Sequence, residues 1–114
     1  MKRKIIFYGN YFLEFYSKQD EKAKNKIDFV LDLIRNIDRV PIKFLKYLES
    51  TDGLYEIRVK AGNKNIRILC FFDEERLVIL INSFIKKTAK TPKNELEEGK
   101  KLKLEYFVDK LKRK

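Results

Sequence analysis

The chain contains no histidine, one cysteine, and no apolar stretch near the roughly 20 residues that a membrane span requires. Each absence removes a class of chemistry. Without histidine there is no ready proton shuttle near neutral pH, so any acid–base work falls to a carboxylate, to a lysine with a lowered pKa, or to substrate and water. With one cysteine and no close set of carboxylates either, no metal site and no other cofactor is expected. Cys70 lies in an apolar run and lacks a partner for an internal disulfide, which fits a reducing cytosol. The opening Met1-Lys2-Arg3-Lys4-Ile5-Ile6 reaches polar Asn10 too soon for the apolar region of a signal peptide. A cytoplasmic chain with no membrane attachment is the expectation.

What is present is positive charge on an apolar frame. Lys and Arg number 27 against 17 Asp and Glu, a formal net charge of +10. Such a surface concentrates anions and steers polyanions towards it, which makes nucleic acid, and RNA above all, the first candidate partner and an acidic protein the second. A hydrophobic share of 44% with nine Phe and six Tyr is too rich for a disordered basic tail. The 114 residues suit one domain over 1–114, which would bury roughly two-thirds of the surface its unfolded chain exposes. There is no internal repeat and no linker.

The hydrophobic pattern predicts the elements. Ile5 to Tyr8 reads as a strand stopped by Gly9-Asn10, after which Asn10 caps a short helix carrying Phe12, Phe15 and Tyr16. From about Asp20 to Asn36, Ala23, Ile27, Val30, Leu31 and Ile34 recur at helical spacing. Val40-Pro41 ends that helix, and Phe44, Leu45, Tyr47 and Leu48 form a further apolar turn before Ser50-Thr51-Asp52-Gly53. Three strands follow, Leu54 to Lys60, Asn65 to Phe72 and about Arg76 to Phe84. A last helix is capped at Thr91-Pro92 and carries Leu96, Leu102, Leu104, Phe107, Val108 and Leu111. The fold class is α+β, in the order β-α-α-β-β-β-α, with a small, mostly antiparallel sheet and helices packed on one face.

The three-strand meander carries the chemistry. A loop of two residues, Gly62-Asn63, or of four, Ala61 to Lys64, gives the same pairing and sets Arg58 opposite Arg67. Directly opposed like charges destabilise a sheet, so an anion or a bridging carboxylate is needed between them, and Glu56 shares their face. The alternation puts Tyr55, Ile57, Val59, Ile66, Ile68, Cys70 and Phe72 on the opposite, apolar face. A two-residue turn before the last strand would bring Leu80, Asn82 and Phe84 beside Arg67, with Lys86-Lys87 closing the cluster; a three-residue turn would remove Asn82 from it. Arginine forks suit phosphate oxygens and the extra charge of a phosphoryl transition state. RNA brings its own nucleophile in the 2′-hydroxyl, so orienting that group and stabilising charge would be enough to cut it without metal.

Asp52-Gly53-Leu54-Tyr55-Glu56-Ile57-Arg58-Val59, Arg67-Ile68-Leu69, Ser83-Phe84-Ile85-Lys86-Lys87-Thr88 and Lys90-Thr91-Pro92 together resemble the HigB-like, phage-associated branch of the RelE/ParE toxin superfamily. The resemblance implies the toxin of a type II toxin–antitoxin pair, an endoribonuclease that cleaves messenger RNA in the ribosomal A site. It implies a helix-turn-helix antitoxin as partner, with operator DNA reached only through that antitoxin. Carried over by position, the family's active site falls on Arg58, Arg67 and Lys87, with Glu56 or a lysine assisting proton transfer. Lys60, Lys64, Lys86 and Lys90 are the expected RNA contacts. A gyrase-inhibiting toxin of the ParE type and a co-repressor without activity stay open as alternatives.

Overall fold

The computed structural model of the chain describes residues 2–113. Its longest early element, helix α2 (Glu21–Asn36), forms because Asp20 accepts a hydrogen bond from the Ala23 amide at 2.8 Å and because Ala23, Ile27, Val30, Leu31 and Ile34 make one buried stripe. Arg3, remote in sequence, donates to the Ile34 and Ile37 carbonyls at 2.9 and 2.7 Å and to the Asp38 carbonyl at 2.7 Å. The guanidinium thus satisfies the Ile34 carbonyl of the last turn and two carbonyls just beyond the helix, while the Arg3 amide donates to the Arg35 carbonyl at 2.9 Å. Strand β1 (Lys4–Phe7) and helix α1 (Tyr11–Ser17) precede α2 as expected, although Asn10 makes no side-chain cap and only its carbonyl enters the helix, accepting from Glu14.

The segment read as an apolar turn contains a short strand, β2 (Leu45–Tyr47), followed by β3 (Tyr55–Ala61), β4 (Lys64–Asp73), β5 (Leu77–Ile85) and helix α3 (Lys93–Lys112). The sheet order is β1-β5-β4-β3-β2, with β1 parallel to β5 and the other three pairings antiparallel. The α+β class and the element order hold, with β2 added. Gly62 at φ 62° opens the two-residue turn between β3 and β4 and fixes Arg58 opposite Arg67.

Between β4 and β5 the loop has three residues, because Asp73 pairs with Leu77, and Glu74 and Glu75 take φ of 53° and 62° there. That length turns Leu80 away from Arg67 and into the core beside Cys70, as the three-residue alternative required. A β-bulge between the Ile68 and Cys70 pairings then inserts one residue and restores the parity, so that Phe84 stands opposite Arg67. Asn82 stays on the Arg67 side through this irregularity, reaching α3 through Glu95.

Helices on one face of the sheet are a second expectation that the structure corrects. The stripe of α2 and the α1 side chain of Phe12 cover Ile57, Val59, Ile66, Ile68, Cys70, Val78 and Leu80. Helix α3 lies on the other face, where Leu102 and Tyr106 pack with Leu54, Leu69, Phe71, Ile79, Ile81 and Phe84. The central strands are therefore buried on both sides, which explains their continuous apolar runs. Gly99 faces the sheet so closely that an added Cβ would stand 2.9 Å from Leu69 Cδ1. The inward face of α3 is Gly99, Leu102 and Tyr106, while Leu104, Val108 and Leu111, expected on the packing stripe, are exposed. No helix among the described residues is long and apolar enough to cross a membrane.

Candidate functional site

Strand register assembles the site at the end of the sheet that α3 leaves open. Glu56 and Arg58 alternate onto the α3 side of β3, Arg67 stands opposite Arg58 on β4, and Lys46 on β2 stands opposite Glu56. The Glu56 carboxylate is only 2% exposed, with Oε1 3.5 Å from Arg58 Nε and 3.7 Å from Arg67 Nε. Its other oxygen, Oε2, accepts a hydrogen bond from the Thr91 hydroxyl at 3.1 Å. One carboxylate therefore bridges the two opposed arginines and ties the entrance of α3 to the sheet. Thr91 was expected to cap α3; instead its hydroxyl serves Glu56, and the helix begins after Pro92 without a side-chain cap.

Arg67 is held in an unusual state for so polar a group. It is 8% exposed and donates from one terminal nitrogen to the Ile66 carbonyl at 3.0 Å, while its buried Nε has no hydrogen-bond partner. Burial pulls its pKa down from the ordinary arginine value; Glu56 opposes that pull and Arg58 adds to it. Lys86, half-buried just past β5, is likewise lowered, first by burial, with Glu56 opposing and Arg67, Arg58 and Lys46 acting in the same direction as burial. Its amide donates to the Asn65 carbonyl at 2.7 Å, which continues the β4–β5 pairing and fixes the residue beside Arg67. Four cations thus surround one carboxylate, an excess of positive charge that an anion would neutralise.

Arg58 and Arg67 also form one wall of an open cleft of about 650 Å³. Lys26, Phe29 and Val30 of α2, Lys43 and Phe44 before β2, and Val59, Lys60 and Asn65 complete its lining, in which there is no Asp or Glu. The cleft lies beside the start of β2, whose pairing with β3 begins at Leu45 opposite Ile57, with the Arg58 amide donating to the Phe44 carbonyl at 2.8 Å just before it. Guanidinium and ammonium groups facing an acid-free hollow can hold phosphate oxygens and offset charge that develops on them.

The sequence-predicted residues divide into those gathered here and those held elsewhere. Glu56, Arg58, Arg67 and Lys86 meet, and Lys60 joins them at the cleft. Lys87, placed by resemblance at the active site, is exposed, and the half-buried ammonium beside the arginines is that of Lys86. Lys64 lies 3.5 Å from Asp20 at the start of α2, and Lys90 is exposed on the loop before α3. Thr91, Lys46, Lys26, Lys43, Phe29 and Phe44 were missed. The pairing of Lys46 with Glu56 follows once Leu45–Tyr47 is recognised as a strand, whereas the residues of α2 carry no local signal, since only the tertiary packing brings them to the arginines. Cys70 is fully buried and its thiol is pushed up by that burial, as suits a core side chain.

Comparison with solved structures places this architecture. A mutant of E. coli toxin RelE in the free state superposes with a TM-score of 0.62 at 17% identity, covering 89% of this chain and 97% of that one. The archaeal RelE from a RelE–RelB complex of Pyrococcus horikoshii OT3 superposes with a TM-score of 0.55 at 14% identity, covering 78% of this chain and 100% of that one. At these identities the likeness is one of fold. No curated protein matches the sequence. A family model, Phage derived protein Gp49-like (DUF891), matches residues 14–103, which includes β2 to β5, the arginine pair, Lys86 and Thr91. With most of its length matched by that model and its strands and helices arranged as in RelE, the chain belongs to the Gp49-like family of phage-derived proteins and has the RelE fold.

Proposed function

We propose that the protein is the toxin of a type II toxin–antitoxin pair, of the HigB-like kind, and that it cuts messenger RNA without a metal. The observation that carries this reading is the cluster itself: Arg58, Arg67, Lys86 and Lys46 around one buried carboxylate, opening onto an acid-free cleft. In the proposed reaction Arg58 and Arg67 hold the scissile phosphate, the RNA 2′-oxygen forms a bond to phosphorus, and the bond to the 5′-oxygen breaks. The 2′-hydroxyl proton passes to a base and the departing 5′-oxygen takes up a proton, leaving a 2′,3′-cyclic phosphate. Lys86, whose proton is loosened by burial and by its cationic neighbours, suits the proton transfer better than Glu56. Glu56 stands between the two guanidinium groups with its other oxygen taken by Thr91, so its role is to orient them.

The RelE of Pyrococcus horikoshii is solved as a complex with RelB, which supports an antitoxin as partner of this chain. The proposal extends to a helix-turn-helix antitoxin, to operator DNA reached only through it, and to the ribosomal A site in the cytoplasm as the place of action. The test is induced expression in a bacterial host, with primer-extension mapping of 5′ ends on translated messages within minutes of induction. New ends inside coding regions that vanish in the Arg58→Ala/Arg67→Ala double variant are expected. Arrested growth with intact messages would point instead to gyrase or another protein target, and normal growth to a co-repressor.

A further inference from the structure

Building on the ribonuclease reading, we infer that the cleft beside Arg58 and Arg67 is a nucleobase-stacking subsite, in which the Phe29 ring receives a base of the RNA strand whose phosphate the arginines hold. Phe29 is 51% exposed on α2 and lies outside the buried stripe of Ala23, Ile27, Val30, Leu31 and Ile34. A single exposed apolar side chain is ordinary on a protein surface, but this ring lines the same hollow as Arg58 and Arg67. Phe44 lines the same hollow, and each ring carries an ammonium group: Lys26 Nζ is 5.8 Å from the Phe29 centroid and Lys43 Nζ 5.5 Å from that of Phe44.

With Arg58, Lys60 and Arg67, these lysines put five cations in the lining of one cleft and no carboxylate, since Glu56, which meets the two arginines, is not part of that lining. Aromatic faces set among cations suit a single-stranded polynucleotide, whose flat bases stack while its phosphates follow the charge. Bases stacked within a duplex offer no such face, so the occupant is single-stranded. An acidic protein segment would need an apolar side chain spaced for the ring as well as its carboxylates, whereas every nucleotide carries both a phosphate and a flat base.

The experiment is equilibrium binding, by fluorescence anisotropy, of the full chain to a short labelled single-stranded RNA with 2′-O-methyl riboses, which removes the nucleophile and prevents cutting. Phe29→Ala is expected to weaken binding by about ten-fold, Phe29→Trp to restore it, and neither to change the dependence on salt. On an otherwise identical strand of abasic residues the effect of Phe29→Ala should disappear. Unchanged affinity of Phe29→Ala, with Arg58→Ala/Arg67→Ala still impaired, overturns the subsite and leaves the ribonuclease reading in place. Intact RNA binding by Phe29→Ala together with loss of neutralisation by an antitoxin would make the cleft a protein-docking face, and the subsite falls. No RNA binding by the unaltered chain overturns it too, and the mapping of cut messages then decides separately whether the ribonuclease reading survives.

Discussion

Glu56 shows how a single side chain holds a like-charged pair together. Arg58 and Arg67 face each other across two strands, and the sheet tolerates this because one buried carboxylate stands 3.5 and 3.7 Å from their Nε atoms. Those distances are longer than charge-assisted hydrogen bonds, and Arg67 Nε is left without a partner, so the arrangement is not saturated in its present state. Glu56→Gln keeps the shape of the side chain but removes the charge that separates the arginines. Because Arg58 can swing towards solvent, the loss of stability should be about 1–3 kcal/mol, below that of a fully buried pair broken on one side. An added anion would replace the missing charge, so inorganic phosphate should raise the melting temperature of Glu56→Gln by more than it raises that of the unaltered chain. Equal responses of the two proteins would mean that the carboxylate is not what balances the arginines.

At the scale of elements, helix α3 decides how much of the arginine face is open. Its first turns are fastened by Thr91 on Glu56 and by Asn82, whose amide donates to the Glu95 carbonyl and carboxylate at 3.0 Å each. Its far end is fastened by Asp73, which accepts from the Tyr106 hydroxyl and from Lys110 Nζ at 2.8 Å each, and by the Tyr8 hydroxyl donating to Asp109 at 2.7 Å. Burial pushes the Asp73 carboxyl up, but the bonds from Lys110 and Tyr106 outweigh it and hold the group below the ordinary carboxylate range. A group whose folded pKa is depressed adds stability above its unfolded value, about 3.9, and loses it as the pH falls through the folded value. Asp73→Ala should therefore cost about 1–3 kcal/mol near neutral pH, partly by leaving the buried Tyr106 hydroxyl unpaired, and its deficit should shrink in acid. Denaturant unfolding of both proteins at neutral and acid pH measures this, and a deficit independent of pH would assign the loss to packing alone. The two ends of α3 were unequally legible. Pro92 announces the start of the helix, but which face it buries depends on Gly99 meeting Leu69, and on Leu69 and Phe71 sharing a face with Arg67 by simple alternation. That alternation was in the sequence, masked by the apolar runs of strands buried on both sides. The Arg58–Arg67 pairing was readable because a two-residue turn sets its register locally. The strand at Leu45–Tyr47, the bulge in β5 and the burial of Lys86 beside an exposed Lys87 depend on partners far along the chain, and no local pattern could supply them.

At the scale of the whole molecule, a net charge of +10 acts in opposite directions on folding and on binding. Like charges spread over one small body repel, and Glu56 sits where two of the cations are drawn together. Dissolved salt screens that repulsion, with a Debye length falling to about 8 Å at physiological ionic strength. The same salt competes with the cleft for phosphates, since each phosphate neutralised on a single strand adds roughly 0.7 to the slope of log affinity against log salt. Five cations line the cleft, so if most engage RNA together the slope should be on the order of −2 to −4. Raising potassium chloride should thus raise the melting temperature of the free protein while weakening its hold on a short single-stranded RNA. Lys60→Gln, which removes an exposed cation from the cleft wall, should reduce the slope by about 0.7 and leave the melting temperature nearly unchanged. Melting curves and binding isotherms over one salt series check both halves, and an RNA affinity indifferent to salt would remove the cleft cations from the binding site.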